Sequence, residues 1–400
     1  MSNVMRSSRL GYALILGLLA ALGPLCTDLY LPALPQLTSD LSTTTAAAQL
    51  SLTAGLLGLG AGQLILGPLS DKVGRRRPLL FSLLIFLAAS VWCAQAQDIN
   101  HLIAARFIQG MAGAGGAVLS RAVARDLYSG HELTRFFALL MLINGLAPAL
   151  APVMGGAMLS IMDWRGIFIA LAIIAALLLA LSALRLPETL PPQRRVTGGV
   201  GSLVASLGSL LAQRHFMGLC LAQGFAGAGM FAYIGASPFV LQEIYQLSPQ
   251  MFSLCFAINS VGLIFAAQIS TRFSRHWGEM RILKLGLLIA AVSSLLLLLA
   301  SALQATLIWL LIPLFFSIII IGIVGPSASA LAMQSQGDKA GSASALIGVS
   351  MFALGALSVP FTGLNGTSAL SMALVIVVCY ALAIASFALL VRRSGKSPAG

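Results

Sequence analysis

"LGYALILGLLAALGPLCTDLYLPALP" (residues 10–35) holds no charged residue until Asp28. A run of this length and character decides what kind of chain this is. About 20 mainly apolar residues form a helix long enough to cross a bilayer. The rest of the chain agrees: hydrophobic residues make up 58% of the 400 and charged residues 8%, against roughly 25% charged in ordinary globular domains. Mean hydropathy is +0.97. A chain with so little polar surface cannot cover itself in water, and it belongs in a membrane.

Reading onward gives twelve apolar runs, at about 10–30, 44–66, 79–97, 102–122, 134–160, 164–184, 216–240, 250–271, 281–301, 305–333, 341–362 and 368–390. They are too long for barrel strands and lack period-two alternation. The expected fold class is therefore an all-α membrane protein with twelve transmembrane helices. Arg6 and Arg9 ahead of the first run resemble the start of a signal peptide. Later runs have the same character, so a first transmembrane helix is the expectation.

The net charge of +12 invites a nucleic-acid reading, but its placement removes it. With the N-terminus cytoplasmic, all 23 Lys and Arg residues except Arg106 and Arg165 fall in cytoplasmic loops, termini or adjoining helix ends. The opposite loops hold Asp40, Asp98, Asp163 and Glu243. The basic excess is topological, both termini are expected in the cytoplasm, and no nucleic-acid partner is expected. Five cysteines (26, 93, 220, 255, 379) without C-x-x-C spacing, and four scattered histidines, point to neither a disulfide framework nor a metal site.

The longest connection, 185–215, divides the chain into six plus six helices, with halves at 1–186 and 214–400 around a central loop at 187–213. A faint repeat supports the division. "LSDKVGRRRPLL" (69–80) and "FSRHWGEMRILK" (273–284) align at a shift of 204, Ser70 on Ser274, Gly74 on Gly278 and Arg77 on Arg281. Duplicated bundles of this kind are typical of secondary transporters, which bind substrate where their repeats meet.

Asp28 and Arg106 are the two ionisable groups lying within apolar runs and away from their ends. Each would cost about 2.5–3.5 kcal/mol at a helix centre on the insertion scale. At 1.5 Å per residue, Asp28 lies about 27 Å up the first run and Arg106 about 6 Å below the outer edge in the fourth. Both occupy the outer half of the membrane, which makes a pairing plausible. Asp28 reads either as a proton carrier that also competes for a cationic or polar substrate, or as a wet cap on its helix. Arg106 reads as a coupling partner or as a cross-helix anchor. Tyr30, Gln49, Gln109, Asn144, Gln223, Phe225, Tyr233 and Asn259 are candidates to line a substrate cavity, with Gln109 one turn from Arg106 on the same face. Interhelical hydrogen bonding and packing are their alternative roles.

Two further motifs concern movement. "GPLSDKVGRRR" (67–77) sets Gly67, Asp71, Gly74, Arg75 and Arg76 in a short turn, where Asp71 can meet an arginine or a helix N-terminus as a gating latch. "NGLAPALAPVMGG" (144–156) bends a helix at Pro148 and Pro152 and thins it at Gly155 and Gly156. No G-x-x-x-x-G-K-[ST] nucleotide loop occurs and no catalytic cluster stands at membrane depth, so neither an ATP-driven pump nor an enzyme is expected.

These motifs resemble those of the major facilitator superfamily, in particular the twelve-helix drug:proton antiporters of the Bcr/CflA group. "GPLSDKVGRRR" is similar to the family's loop 2–3 signature, and "LIAARFIQGMAGAG" (102–115) to its helix 4 motif, whose arginine falls on Arg106. "TDLYLPALP" (27–35) matches the helix 1 motif, whose acid falls on Asp28; "RDLY" (125–128), "DWRGIF" (163–168) and "LPET" (186–189) also look like the group. The chain departs at Ala151-Pro152, where the antiporter motif has Gly-Pro, and at Arg275, which stands in the second-half turn where the first has Asp71. The resemblance implies two six-helix halves, proton-driven export of drug-like or amphiphilic small molecules (multidrug efflux, antibiotic resistance) by alternating access, and proton coupling through Asp28 and Arg106. It implies no cofactor beyond the proton gradient, a monomer, and a bacterial inner membrane. A dedicated metabolite exporter and a proton symporter are the other outcomes open to this fold.

Overall fold

The computed structural model describes residues 2–195, 207–334, 336, 340–364 and 366–391. Side chains of residues 2–10 and of several positions in the fifth helix, Asn144 among them, lie outside the description. No strand occurs among the described residues. The principal helices are α1 (Ser2–Asp28), α2 (Thr45–Val73), α3 (Arg76–Gln95), α4 (Ile99–Leu127), α5 (Gly130–Met158) and α6 (Trp164–Arg185). They continue with α7 (Arg214–Phe239), α8 (Pro249–Trp277), α9 (Glu279–Ala302), α10 (Leu307–Ile319 then Ile321–Met333), α11 (Ala340–Phe361) and α12 (Ala369–Ser386). Eleven spans among the described residues are long and apolar enough to cross a membrane, and Leu146–Met158 of α5 adds a shorter apolar helix.

Local chemistry sets the helix ends. α1 stops at Asp28 because Pro32, four residues on, has no N–H to bond the Asp28 carbonyl. Three of the polar residues at helix starts are caps. Asp98 accepts from the amides of Asn100 and His101 at 2.9 and 3.0 Å, Asp163 from Gly166 at 3.1 Å, and Ser368 exchanges bonds with Ser371 in a capping box. Asp40 accepts from the Trp164 indole at 3.0 Å. Three of the acids in the loops opposite the basic ones therefore have structural partners.

The chain forms two compact units. One holds Met1–Thr43, Ala54–Thr197 and Pro249–Ala257; the other holds Thr44–Thr53, Gly198–Ser248 and Ile258–Gly400. The first residues of α2 and of α8 thus belong to a different unit from the rest of their helices, a feature that the division at 186 and 214 does not contain. The pairings inside the two units match. In the first, α1 packs on α4 and α5, and α3 on α4 and α6; in the second, α7 packs on α10 and α11, and α9 on α10 and α12. α2 and α8 run over residues that a shift of 204 superposes end to end, Thr45 on Pro249 and Val73 on Trp277. The duplication heard faintly in the sequence is present in the packing.

Glycines let α4 sit deep in the first unit. A Cβ at Gly110 would strike the Gly55 carbonyl of α2, one at Gly116 the Leu19 carbonyl of α1, and one at Gly113 the Phe86 ring of α3. Outward faces are apolar, as Ile173 and Leu177 of α6 show at 56% and 60% exposure. That is the surface a lipid solvent requires.

Candidate functional site

Arg106 is completely buried in α4, and its surroundings explain how a charge is tolerated there. Its Nη1 donates to the Cys26 carbonyl at 2.7 Å and to Gln109 Oε1 at 2.5 Å. Cys26 is among the last four residues of α1, whose carbonyls have no partner within the helix. The guanidinium therefore caps the negative end of α1 from a neighbouring helix. Its plane lies over the Tyr30 ring, 4.4 Å from the centroid, with Phe168 at 5.8 Å. Gly55 of α2 makes room for it, since a Cβ there would lie 2.9 Å from Nη2.

Gln109 holds this arrangement. Fully buried, it donates to Ser90 Oγ at 2.8 Å, and Ser90 donates to the Phe86 carbonyl at 2.7 Å. A polar chain thus runs from α3 through α4 to the end of α1. Gln109 braces the arginine from within the packed bundle instead of facing an open cavity. Ser90 and Cys26 are participants that sequence reasoning missed; a serine among apolar neighbours on α3 was the available signal for the first, while a carbonyl leaves no signal.

Asp28, the last residue of α1, is 5% exposed. Among the described residues no ion pair joins it to Arg106. The expected pairing is not formed; the arginine's hydrogen bonds run from Nη1 to a backbone carbonyl and an amide. The Nε and Nη2 of Arg106 meet no hydrogen-bond acceptor. The first unit therefore buries an acid and a guanidinium with donor capacity to spare, and Tyr30, the ring beneath the guanidinium, follows Asp28 by two residues.

The remaining candidates are distributed as follows. Gln49, fully buried in the second unit, donates to the Gly235 carbonyl at 3.1 Å and to Thr362 Oγ1 at 2.9 Å, while its Oε1 has no partner. Tyr233 is buried and accepts from Asn259 Nδ2 at 2.9 Å. Gln223 and Phe225 are half-buried on α7, Gln223 accepting from Ser329 Oγ at 2.7 Å. Tyr30 is packed beneath Arg106, and the Asn144 side chain lies outside the described residues.

In the 67–77 turn, Asp71 pairs with Arg75 of its own turn at 2.5 Å, so the charge meets a partner four residues away instead of a distant arginine. Arg75 also donates to Ser70 Oγ at 2.7 Å and to Asp126 Oδ2 at 3.0 Å, and Thr189 donates to the same Asp126 oxygen at 3.0 Å. Glu188 accepts from the amides of Arg75 at 2.8 Å, Arg76 at 3.1 Å and Leu190 at 3.0 Å. It caps the start of α3 from a remote segment. Partial burial works to raise Glu188, but those amides and the Arg195 charge hold its carboxyl below the ordinary range. The motifs "GPLSDKVGRRR", "RDLY" and "LPET" thus converge on one ion cluster. Gly67 lies at its edge, accepting from Ser70 Oγ at 2.7 Å, and Arg76 Nη2 donates to the Ala183 carbonyl at 2.7 Å.

The glycines of α5 work by close approach. A Cβ at Gly155 would strike the Leu29 carbonyl just beyond α1, and one at Gly156 would lie 2.5 Å from Ser253 Oγ at the start of α8. Gln250 donates to the Gly156 carbonyl at 3.0 Å. Pro148 and Pro152 lie inside the same helix.

Comparison with known proteins places this geometry. The profile of the Major Facilitator Superfamily matches residues 16–360. A Bacillus subtilis protein named "Uncharacterized MFS-type transporter YdgK" is 44% identical over 99% of each chain. A Haemophilus influenzae "Bicyclomycin resistance protein homolog" is 30% identical, covering 86% of this chain and 87% of its own. "Multidrug resistance protein D" of Escherichia coli is 29% identical over 94% and 96%. Among solved structures, a D-xylose-proton symporter aligns with a TM-score of 0.73 at 16% identity, covering 94% of this chain and 97% of its own, which speaks to the fold. The chain belongs to the Major Facilitator Superfamily, and it is a multi-pass membrane transporter with relatives named for drug resistance.

Proposed function

We propose that this protein is a proton-coupled antiporter of the Bcr/CflA type, exporting drug-like or amphiphilic small molecules from the cytoplasm by alternating access. The observation that carries this reading is a pair of buried charges in the first unit that form no salt bridge among the described residues: Asp28, and Arg106 with its Nε and Nη2 nitrogens unpartnered. A buried carboxylate left unpaired is costly, and binding a proton or a cationic group removes that cost. One site then holds either a proton or a substrate, which is the requirement for exchange. The direction of transport rests on the relatives named for resistance.

The reading carries further assignments. The protein acts in the bacterial inner membrane with both termini cytoplasmic, as a monomer, and draws on the proton gradient with no cofactor. Gln223 and Phe225 are the candidate substrate contacts on α7. The test uses purified protein in liposomes with an interior pH dye and a panel of cationic, neutral and zwitterionic compounds. Compound-triggered proton flux in wild type that disappears in Asp28→Asn supports the reading. Proton flux in the same direction as substrate identifies a symporter, and response to a single compound identifies a dedicated metabolite exporter.

A further inference from the structure

The turn between α8 and α9 has the opposite electrostatics from the ion cluster of the first unit. Arg272, Arg275, Arg281 and Lys284 are all exposed around it, and among the described residues none forms an ion pair. His276 is exposed beside them, and the acid of the turn, Glu279, is likewise unpaired among the described residues. Residue 275 is an arginine where the first turn has Asp71.

The helix that carries these cations also presents an apolar row. Val261, Phe265, Ile269, Phe273 and Trp277 follow at steps of four residues, one ridge of α8, exposed at 40%, 63%, 55%, 45% and 51%. The Phe273 and Trp277 rings meet at 5.2 Å, tilted by 43°, where the row reaches the cations, the level at which aromatic side chains settle at a membrane boundary. A groove of about 550 Å³ lies beside them, lined by Gln268, Ile269, Thr271, Arg272 and Arg275. An apolar ridge ending in unpaired arginines is complementary to a molecule with a long apolar tail and an anionic head.

We propose that this face of α8 binds an acidic phospholipid, with its headgroup phosphate on Arg272 and Arg275 and an acyl chain along Phe265, Ile269 and Phe273. The charge balance selects the lipid class. Among the described residues of the turn, four Lys and Arg residues against Glu279 leave a zwitterion's ammonium little to meet, whereas a net negative headgroup supplies the missing counter-charge. The proposal depends on the chain lying in a membrane and not on what it transports.

Trp277 is a native reporter. The full-length chain carrying Trp92→Phe and Trp309→Phe keeps Trp277 exposed and Trp164 buried. It is reconstituted in phosphatidylcholine nanodiscs doped, at equal low mole fraction, with brominated phosphatidylglycerol or brominated phosphatidylcholine. The acidic lipid is expected to be enriched at Trp277 by about tenfold, two arginines each contributing to the attraction. Adding Arg272→Gln with Arg275→Gln should abolish the preference, and Arg272→Lys with Arg275→Lys should keep it. Equal quenching by the two lipids, an undiminished preference in the glutamine variant, or loss of preference in the lysine variant would overturn the proposal. So would relief of quenching by inorganic phosphate, which would show that the cations take a free anion.

Discussion

The turns at 70–77 and 274–281 share one backbone and almost none of their charge chemistry. Ser70 Oγ donates to the Gly67 carbonyl and Ser274 Oγ to the Thr271 carbonyl, at 2.7 and 3.0 Å. Gly74 N bonds the Ser70 carbonyl at 3.1 Å and Gly278 N the Ser274 carbonyl at 2.8 Å, with φ of +102° and +80°. Yet the order Asp71–Arg75 becomes Arg275–Glu279, with the signs reversed. The first turn is closed by Asp126 and Glu188; the position 204 residues after Glu188 is Arg392, in a terminal stretch "RRSGKSPAG" without an acid. A serine and a glycine suffice to form the turn, whereas its charge partners come from other elements. A duplicated turn can therefore keep its shape and change its role, from an ion cluster in one copy to an open cationic face in the other.

Glycine substitutions probe the shared backbone and should show the largest difference. Gly74→Ala combines a strained φ with a Cβ lying 2.5 Å from Glu188 Oε2, whereas a Cβ at Gly278 meets nothing within 4 Å. Losses of about 2–3 kcal/mol and about 1 kcal/mol are expected, read from unfolding in detergent. Equal losses would mean that the segment after α6 adds nothing to the first turn.

Next in size is Glu188→Ala, which leaves the start of α3 without its remote cap and should cost about 1 kcal/mol. The group also predicts a pH effect with a definite sign. Its carboxyl titrates lower in the folded protein than its ordinary value of 4.5. Its contribution is therefore complete above that value and is lost as pH falls through the lower, folded one. Wild type should lose stability on acidification relative to Glu188→Gln; parallel acid profiles would remove Glu188 from the account.

Within the cluster, Asp126→Asn should cost more than Asp71→Asn. Asp126 is 18% exposed and receives both Arg75 and Thr189, while Asp71 is 44% exposed and meets one partner. About 1 kcal/mol against at most about 0.5 kcal/mol is expected by the same unfolding measurement. The smallest effect belongs to the second turn. Exchanging its charges by Arg275→Asp with Glu279→Arg should change stability by no more than about 0.5 kcal/mol, because among the described residues no second carboxylate pairs with the turn to complete a cluster. A larger gain would show that the pair alone organises such a turn.

The helices were legible in the sequence because lipid imposes a length and a composition on every span. The duplication was legible only as a few aligned residues, and it becomes plain in matching helix pairings. Arg106 and Gln109 could be placed on one face by their spacing, but their partners could not. The arginine's main acceptor is the Cys26 carbonyl, and backbone groups freed at a helix end leave no mark in side-chain patterns. The Asp28–Arg106 pairing was inferred from depth and opposite charge, both of which are indifferent to a nearer acceptor. Likewise, the latch role for Asp71 did not foresee that Asp126 and Glu188, far along the chain, would meet in the same turn.

The central claim is that Asp28 holds either a proton or a substrate. The most direct test adds a transported compound to purified protein in weakly buffered detergent solution and follows proton release with a pH dye. The account predicts release on binding in wild type and none in Asp28→Asn. Equal release in the two proteins would contradict it and place the exchangeable proton elsewhere.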